Sequence, residues 1–278
     1  MTLPKRKLGA TGVDVTILGL GGEGVLRTYG QDEQAYRLIN RAIDLGITYF
    51  ESAHAYDGSE SYYGAALQER RKEIFLASKS HARNRSGALD QLNKTLDAMQ
   101  TDYLDLWQIH DVREESEVKQ IFGSGGAAET FYAAKKKGLV RYVGITGHHN
   151  PSIIRQCIEA FDFDTVLLPV NPAEPAALSF LEEVVPLAVQ KNMGIIGMKV
   201  YFRGLAKQVP GVSSLQPFFR FALSQPVSTI VIGCDSVRQL EDNVAYAELF
   251  EPMTPEEQGE LLAIVRPYAR QLMYYKPL

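Results

Sequence analysis

Short apolar runs rich in β-branched residues alternate with amphipathic stretches along this chain, and that alternation leaves few folds open. The runs lie at 16–21, 47–52, 74–79, 104–110, 141–146, 165–171, 194–199 and 229–234. Between and after them, helical spacing appears near 32–45, 60–69, 86–99, 126–137, 151–160, 177–191, 214–223 and 236–248. Eight strands alternating with eight helices, in a chain of 278 residues, is the count of a (β/α)8 TIM barrel. A doubly wound sheet is the competing α/β arrangement. It calls for a glycine-rich turn opening directly into the first helix. Here Gly19-Leu20-Gly21-Gly22-Glu23-Gly24 is separated from the helix start at Asp32, so the barrel is favoured. Before the first strand, Lys7 to Val15 reads as a small hairpin turning through Gly9 to Gly12. After the last helix, Thr254-Pro255-Glu256-Glu257 opens one extra C-terminal helix. No repeat or linker divides residues 1–278, which are expected to form a single domain.

Three neighbouring strands end in groups that a strand does not need. The second ends at Glu51, the third at Lys79 and the fourth at His110, while the loop after the second carries Tyr56. In a barrel the carboxyl ends of the strands carry the chemistry. Each of these residues shares strand parity with a small or core-forming residue before it (Tyr49, Ala77, Gln108), so the three are expected to converge on one mouth. A phenol has a reference pKa near 10 and donates a proton readily only if its anion is stabilised, which a neighbouring ammonium does. The lysine in turn needs a carboxylate partner, and a neutral histidine can hold a carbonyl against the phenol. The set suits protonation of a carbonyl oxygen. No side chain supplies a hydride, so a nicotinamide cofactor is implied.

The remaining sequence mostly excludes. A net charge of −4 offers no basic field for nucleic acid. No apolar run is long enough to span a bilayer, and no signal-peptide core follows the N-terminus. Cys157 and Cys234 have no metal-ligand spacing, and a reducing cytoplasm is the expectation. His148-His149 reads as a polar loop pair rather than a metal site. Glu114-Glu115-x-Glu117 and Lys135-Lys136-Lys137 read as solvated surface, and Tyr274-Tyr275-Lys276 as either a cover over the mouth or a peripheral tail.

On these motifs the chain resembles the aldo-keto reductase family. The resemblance rests on Glu51-Ser52-Ala53-His54-Ala55-Tyr56, on Ala77-Ser78-Lys79 and on Leu106-Trp107-Gln108-Ile109-His110-Asp111. It also rests on Leu18-Gly19-Leu20-Gly21, on Val231-Ile232-Gly233 and on the stretch Gln239 to Asn243. It implies reduction of an aldehyde or ketone by NAD(P)H, with Tyr56 as general acid, Lys79 lowering its pKa, Glu51 paired with Lys79 and His110 orienting the carbonyl. It also implies cofactor contacts at Gly22, Thr146, Gly147, Asn171, Met198, Lys199, Gly204, Leu205, Gly233, Asp235, Arg238, Gln239 and Asn243. NADP(H) is favoured over NAD(H) by a small margin, Arg238 being the cation for the 2′-phosphate and Asp235 the residue that opposes it. The chain departs from the family at Glu51, where an aspartate is usual. It departs again at Thr146-Gly147 for Ser-Asn, at Leu167 for a glutamine and at Met198 for the aromatic that stacks on the nicotinamide. The altered cradle keeps open an alternative function, a cofactor-binding regulatory or redox-sensing subunit with little turnover.

Overall fold

Eight parallel strands close into a barrel in this computed structural model, which describes residues 2–277. A two-stranded antiparallel sheet precedes it: β1 (Lys5–Lys7) pairs with β2 (Asp14–Thr16) around the turn at Gly9–Thr11. The barrel strands are β3 (Leu18–Gly24), β4 (Tyr49–Glu51), β5 (Phe75–Ser80), β6 (Leu104–Ile109), β7 (Val140–Thr146), β8 (Thr165–Pro169), β9 (Gly194–Met198) and β10 (Thr229–Cys234). Each pairs with the next in sequence, and β10 closes the ring against β3. The closed ring settles the choice against a doubly wound sheet. The first barrel strand starts later than expected because Thr16 belongs to the hairpin, where its backbone pairs with Lys5.

The helices are α1 (Asp32–Asp44), α2 (Ser59–Leu67), α3 (Arg85–Ala98), α4 (Glu115–Phe122), α5 (Ala127–Lys136), α6 (Pro151–Ala160), α7 (Phe180–Glu183), α8 (Val185–Gln190), α9 (Gln216–Ser224), α10 (Val237–Glu248), α11 (Pro255–Val265) and α12 (Ala269–Leu272). Local chemistry sets many of their starts. Asn84, Asn150, Ser179, Ser236 and Thr254 each accept a backbone N–H in the first turn of the helix they cap. Thr254 and Glu257 complete a reciprocal capping box. The stretch 177–191, expected as one helix, is split into α7 and α8. Pro186 cannot donate to the preceding turn and its ring crowds it, so the helix breaks at Val184. The acidic run lies at the surface as expected, exposed at Glu114 and Glu115, and it also starts α4, with Glu115 and Glu117 in the first turn.

Two apolar layers follow from strand parity. Between the strands and the helices lies the larger core. Inside the barrel, Tyr49, Phe75, Ala77, Leu106, Leu167, Ile196 and Val231 pack together with Leu8 and Val15 of the hairpin. The hairpin therefore plugs the amino end of the barrel. Its turn lies against the start of β9, with Ala10 N–H donating to Asn192 O at 2.8 Å. Gly9, at φ +53°, has room for no side chain, because a Cβ there would stand 2.2 Å from the Gly194 nitrogen. With the floor filled, the polar ends of β4, β5 and β6 face the opposite mouth.

Candidate active site

Register brings the three strand-end groups together. Glu51 on β4 lies opposite Ala77 on β5, and Lys79 on β5 opposite Gln108 on β6, all on the inner face. Lys79 Nζ stands 2.7 Å from Glu51 Oε1 and donates to Ser52 O at 2.8 Å. The second Glu51 oxygen, Oε2, accepts from Tyr49 Oη at 3.2 Å and Gln108 Nε2 at 3.3 Å. The extra methylene of Glu51 is thus absorbed within the inner layer. Lys79 is fully buried, which by itself would lower its pKa, but Glu51 and Tyr56 reverse the effect and raise it, so the amine stays charged.

Tyr56 sits on the turn after β4, its ring centroid 4.8 Å from Lys79 Nζ. Burial raises the pKa of the phenol and Lys79 is the leading influence that lowers it; burial prevails. The group is therefore a protonated phenol at neutral pH. The His110 ring meets Tyr56 edge-on at 5.7 Å between centroids and lies 3.9 Å from the His81 ring. Burial, then Lys79 and His81, push the His110 pKa well below the usual imidazole value, leaving it neutral. Its Nδ1 has no hydrogen-bond partner among the described residues. A neutral imidazole beside a protonated phenol can hold and protonate one oxygen atom.

These four residues line one end of a cavity of about 1180 Å³ that opens at the carboxyl ends of the strands. Of the residues expected at a cofactor, Gly22, Thr146, Met198, Lys199, Gly204, Gly233, Asp235, Gln239 and Asn243 also line it. The other four do not. Gly147 packs its backbone on α6, where a Cβ would come within 2.3 Å of Ile154. Asn171 is buried and engaged, donating to Tyr275 Oη at 2.9 Å and Lys199 O at 3.4 Å. Leu205 packs on the outer core, and Arg238 is exposed on the first turn of α10. Leu167 also lines the cavity, offering no hydrogen bond where the resemblance puts a glutamine.

Sequence reasoning missed several lining groups. Arg203, on the segment after β9, pairs with Glu23 on β3 through contacts of 2.7 and 2.9 Å. Lys207 and Arg27 also line the cavity, as do Asp111, Arg113 and His148 beside His110. Lys199, at φ +58°, is held by burial at a pKa of about 8 despite Glu23 nearby. The C-terminal stretch covers the mouth. Tyr275 Oη donates to Glu174 Oε1 at 2.8 Å, and Lys276 Nζ reaches Glu174 Oε2 at 2.8 Å and two backbone carbonyls of the loop after β8. The Glu-Lys pattern at 174 and 276 held no readable signal, because the partners are distant in sequence and both are fully buried.

A parallel barrel whose mouth gathers a tyrosine, a lysine, a carboxylate and a histidine defines a class of barrel oxidoreductases, and the comparison with known proteins agrees. Residues 17–209 match the model of the Aldo/keto reductase family, more than half of the chain, and the chain belongs to that family. It is similar to the uncharacterized oxidoreductase YqkF of Bacillus subtilis, 24% identical with 91% of this chain and 94% of that one aligned. Among solved structures it superimposes on the aldo-keto reductase AKR11C1 from Bacillus halodurans in its holo form. There the TM-score is 0.78 at 23% identity, covering 94% of this chain and 96% of that one. It also superimposes on an aldo-keto reductase from Klebsiella pneumoniae in complex with NADPH, with a TM-score of 0.77 at 18% identity over 94% of each chain. No described helix is long and apolar enough to cross a membrane.

Proposed function

We propose that the chain reduces an aldehyde or ketone to an alcohol with NADP(H), Tyr56 being the general acid. The observation that carries this reading is the Tyr56–Lys79–Glu51 arrangement, a protonated phenol beside an ammonium locked at 2.7 Å to its carboxylate. The cavity suits a dinucleotide. It runs from Tyr56 to Asp235 and Asn243, its wall at Gly21, Gly22, Gly24 and Gly233 is bare of side chains, and Lys199, Arg203 and Lys207 line it as cations for phosphates. When bound, the nucleotide supplies a hydride to the carbonyl carbon. His110 donates to the carbonyl oxygen and holds it beside Tyr56. The Tyr56 hydroxyl gives its proton to that oxygen as negative charge develops there, and Lys79 stabilises the phenolate left behind. Glu51 keeps Lys79 charged and aimed. The preference for NADP(H) over NAD(H) draws on the NADPH-bound Klebsiella relative and on these cations.

A second reading, a cofactor-binding regulatory or redox-sensing subunit with little turnover, is favoured by one observation: apolar Leu167 and Met198 line the cavity where polar and aromatic contacts to the nicotinamide are expected. Steady-state oxidation of NADPH with a panel of small aldehydes and ketones separates the two. Turnover that Tyr56→Phe abolishes supports the reductase, whereas tight cofactor binding without turnover of any carbonyl supports the second reading.

A further inference from the structure

Behind the catalytic strands, on the side away from the cavity, stands a buried carboxylate that the proposed reaction does not use. Glu60 lies in the first turn of α2 and is 6% exposed. Its Oε1 accepts from Ser78 Oγ on β5 at 2.6 Å and from Thr95 Oγ1 on α3 at 2.9 Å. Its Oε2 accepts from His54 Nδ1 at 3.3 Å, on the turn between β4 and α2. Both carboxylate oxygens are engaged, by three different elements. The bond to Glu60 raises the His54 pKa against the opposing effect of burial, while Lys94 and Asp90 of α3 act with opposite signs. A neutral ring still donates from Nδ1, so the contact outlasts the loss of that charge in alkaline solution.

Two of those three contacts flank catalytic residues. Ser78 immediately precedes Lys79, and the alternation of β5 turns the one outward to Glu60 and the other inward to Glu51. His54 stands just before Tyr56, on a turn closed by Tyr56 N–H donating to Ala53 O at 2.9 Å. That turn also meets β5 directly, because His54 N–H donates to Lys79 O at 3.0 Å. The general acid and the ammonium beside it are thus joined twice from behind, once through backbone and once through Glu60. Burying a carboxylate and half-burying an imidazole costs free energy that an apolar pair of similar size would not. An apolar pair, however, has no directional bonds with which to fix a turn against a strand. Neither side chain is among those lining the cavity, so neither touches substrate or cofactor there. We infer that Glu60 and His54 are positioning residues for Tyr56, a polar link behind the barrel that sets the phenol against Lys79. The inference rests on the reductase reading above.

The test breaks the link and then restores it. His54→Leu removes the donor, whereas His54→Asn keeps an N–H near the place of Nδ1. A misplacement of about 1 Å can cost about a hundredfold, so His54→Leu should lower kcat by at least about tenfold. KM and the Kd for NADPH should each stay within about twofold, and His54→Asn should recover most of the loss in kcat. Lys79 is the leading influence lowering the Tyr56 pKa, with Arg27 acting the same way and Glu23 and Glu51 opposing. A phenol that drifts from Lys79 is a weaker acid, so the alkaline limb of kcat should move up by about half a pH unit or more in His54→Leu. Adding Glu60→Gln to His54→Leu should cost little beyond the larger single loss, because both break one link. An unchanged limb in folded His54→Leu, equal losses in His54→Leu and His54→Asn, or additive losses in the pair overturns the inference and leaves the reductase reading intact. Absence of turnover with every carbonyl compound overturns the reductase reading instead. The phenol is then followed by ultraviolet titration, as the difference between each chain and its Tyr56→Phe counterpart. A raised Tyr56 pKa in His54→Leu supports the positioning role, and an unchanged one overturns it.

Discussion

Glu51 grips Lys79 with one carboxylate oxygen at 2.7 Å while its other oxygen accepts from Tyr49 and Gln108. Both oxygens of a carboxylate one methylene longer than the family's usual aspartate are therefore employed. A buried charge so surrounded is held in one rotamer, and removing its charge would leave Lys79 buried and unpaired.

Glu51→Gln should accordingly cost far more activity than Glu51→Asp. The expected losses in kcat are at least about a hundredfold for Gln and less than about tenfold for Asp, because the shorter acid retains the charge and Lys79 can follow it. Comparable losses in both variants, measured on folded protein by steady-state kinetics, would show that the length of Glu51 matters in its own right.

Tyr56→Phe should lower kcat by at least about a hundredfold with little change in NADPH affinity, since general acid catalysis contributes about 10²–10⁴ and the phenol is not a cofactor contact. Because burial raises the Tyr56 pKa, the reductive rate of the unaltered enzyme should hold through neutral pH and fall only in alkaline solution, as the acid form is lost. Lys79→Met removes the main influence that lowers this pKa, so the alkaline limb should move to higher pH on a much reduced rate. A limb that stays put would rule Tyr56 out as its origin.

NADPH should bind more tightly than NADH in a fluorescence titration. Arg238 is the cation nearest in sequence to Asp235, and its side chain is exposed on the first turn of α10. If it swings to the 2′-phosphate, Arg238→Ala weakens NADPH by about 1–3 kcal/mol and spares NADH. An equal effect on both nucleotides would move the phosphate contact to the cations that line the cavity.

Acid should destabilise the fold earlier than its carboxylates alone would cause. His110 and His148 are neutral in the folded protein, their pKa values lowered chiefly by burial, His148 to about 3. Unfolded, each returns to about 6.5 and binds a proton. Their stabilising contribution is therefore complete above about pH 6.5 and is lost progressively as pH falls toward the folded values. Thermal melts of His148→Gln should show a shallower fall in Tm between about pH 6.5 and 4 than the unaltered chain; parallel curves would remove His148 from the account.

The strands, the hairpin and the four groups at the mouth were legible because each announces itself locally. Apolar runs end at Glu51, Lys79 and His110, and a barrel turns strand order into spatial adjacency. Contacts that depend on where a loop travels were not legible. Nothing near Arg203 reveals that it meets Glu23, and nothing near Lys276 reveals Glu174. α4 escaped notice because its apolar stripe is short, with Ile121 buried and Val118 and Phe122 only partly so. Asn171 and Gly147 were expected at the cofactor from the family resemblance alone, but Asn171 is engaged by Tyr275 and the Gly147 backbone packs closely on Ile154 of α6.

The hairpin plug has a consequence in time. Leu8 shares its cluster with Tyr49, Leu106, Ile196 and Val231, so the first apolar residue past β1 finds its last neighbours only when β10 exists. A growing chain carries a plug long before it has a barrel to close. Contacts of such long sequence separation form late and slowly, leaving half-built sheets with open edges in the meantime. Docking of Gly9 against Gly194 is in that sense a completion signal: the interior can become dry only once strands from both ends of the sequence have met around it.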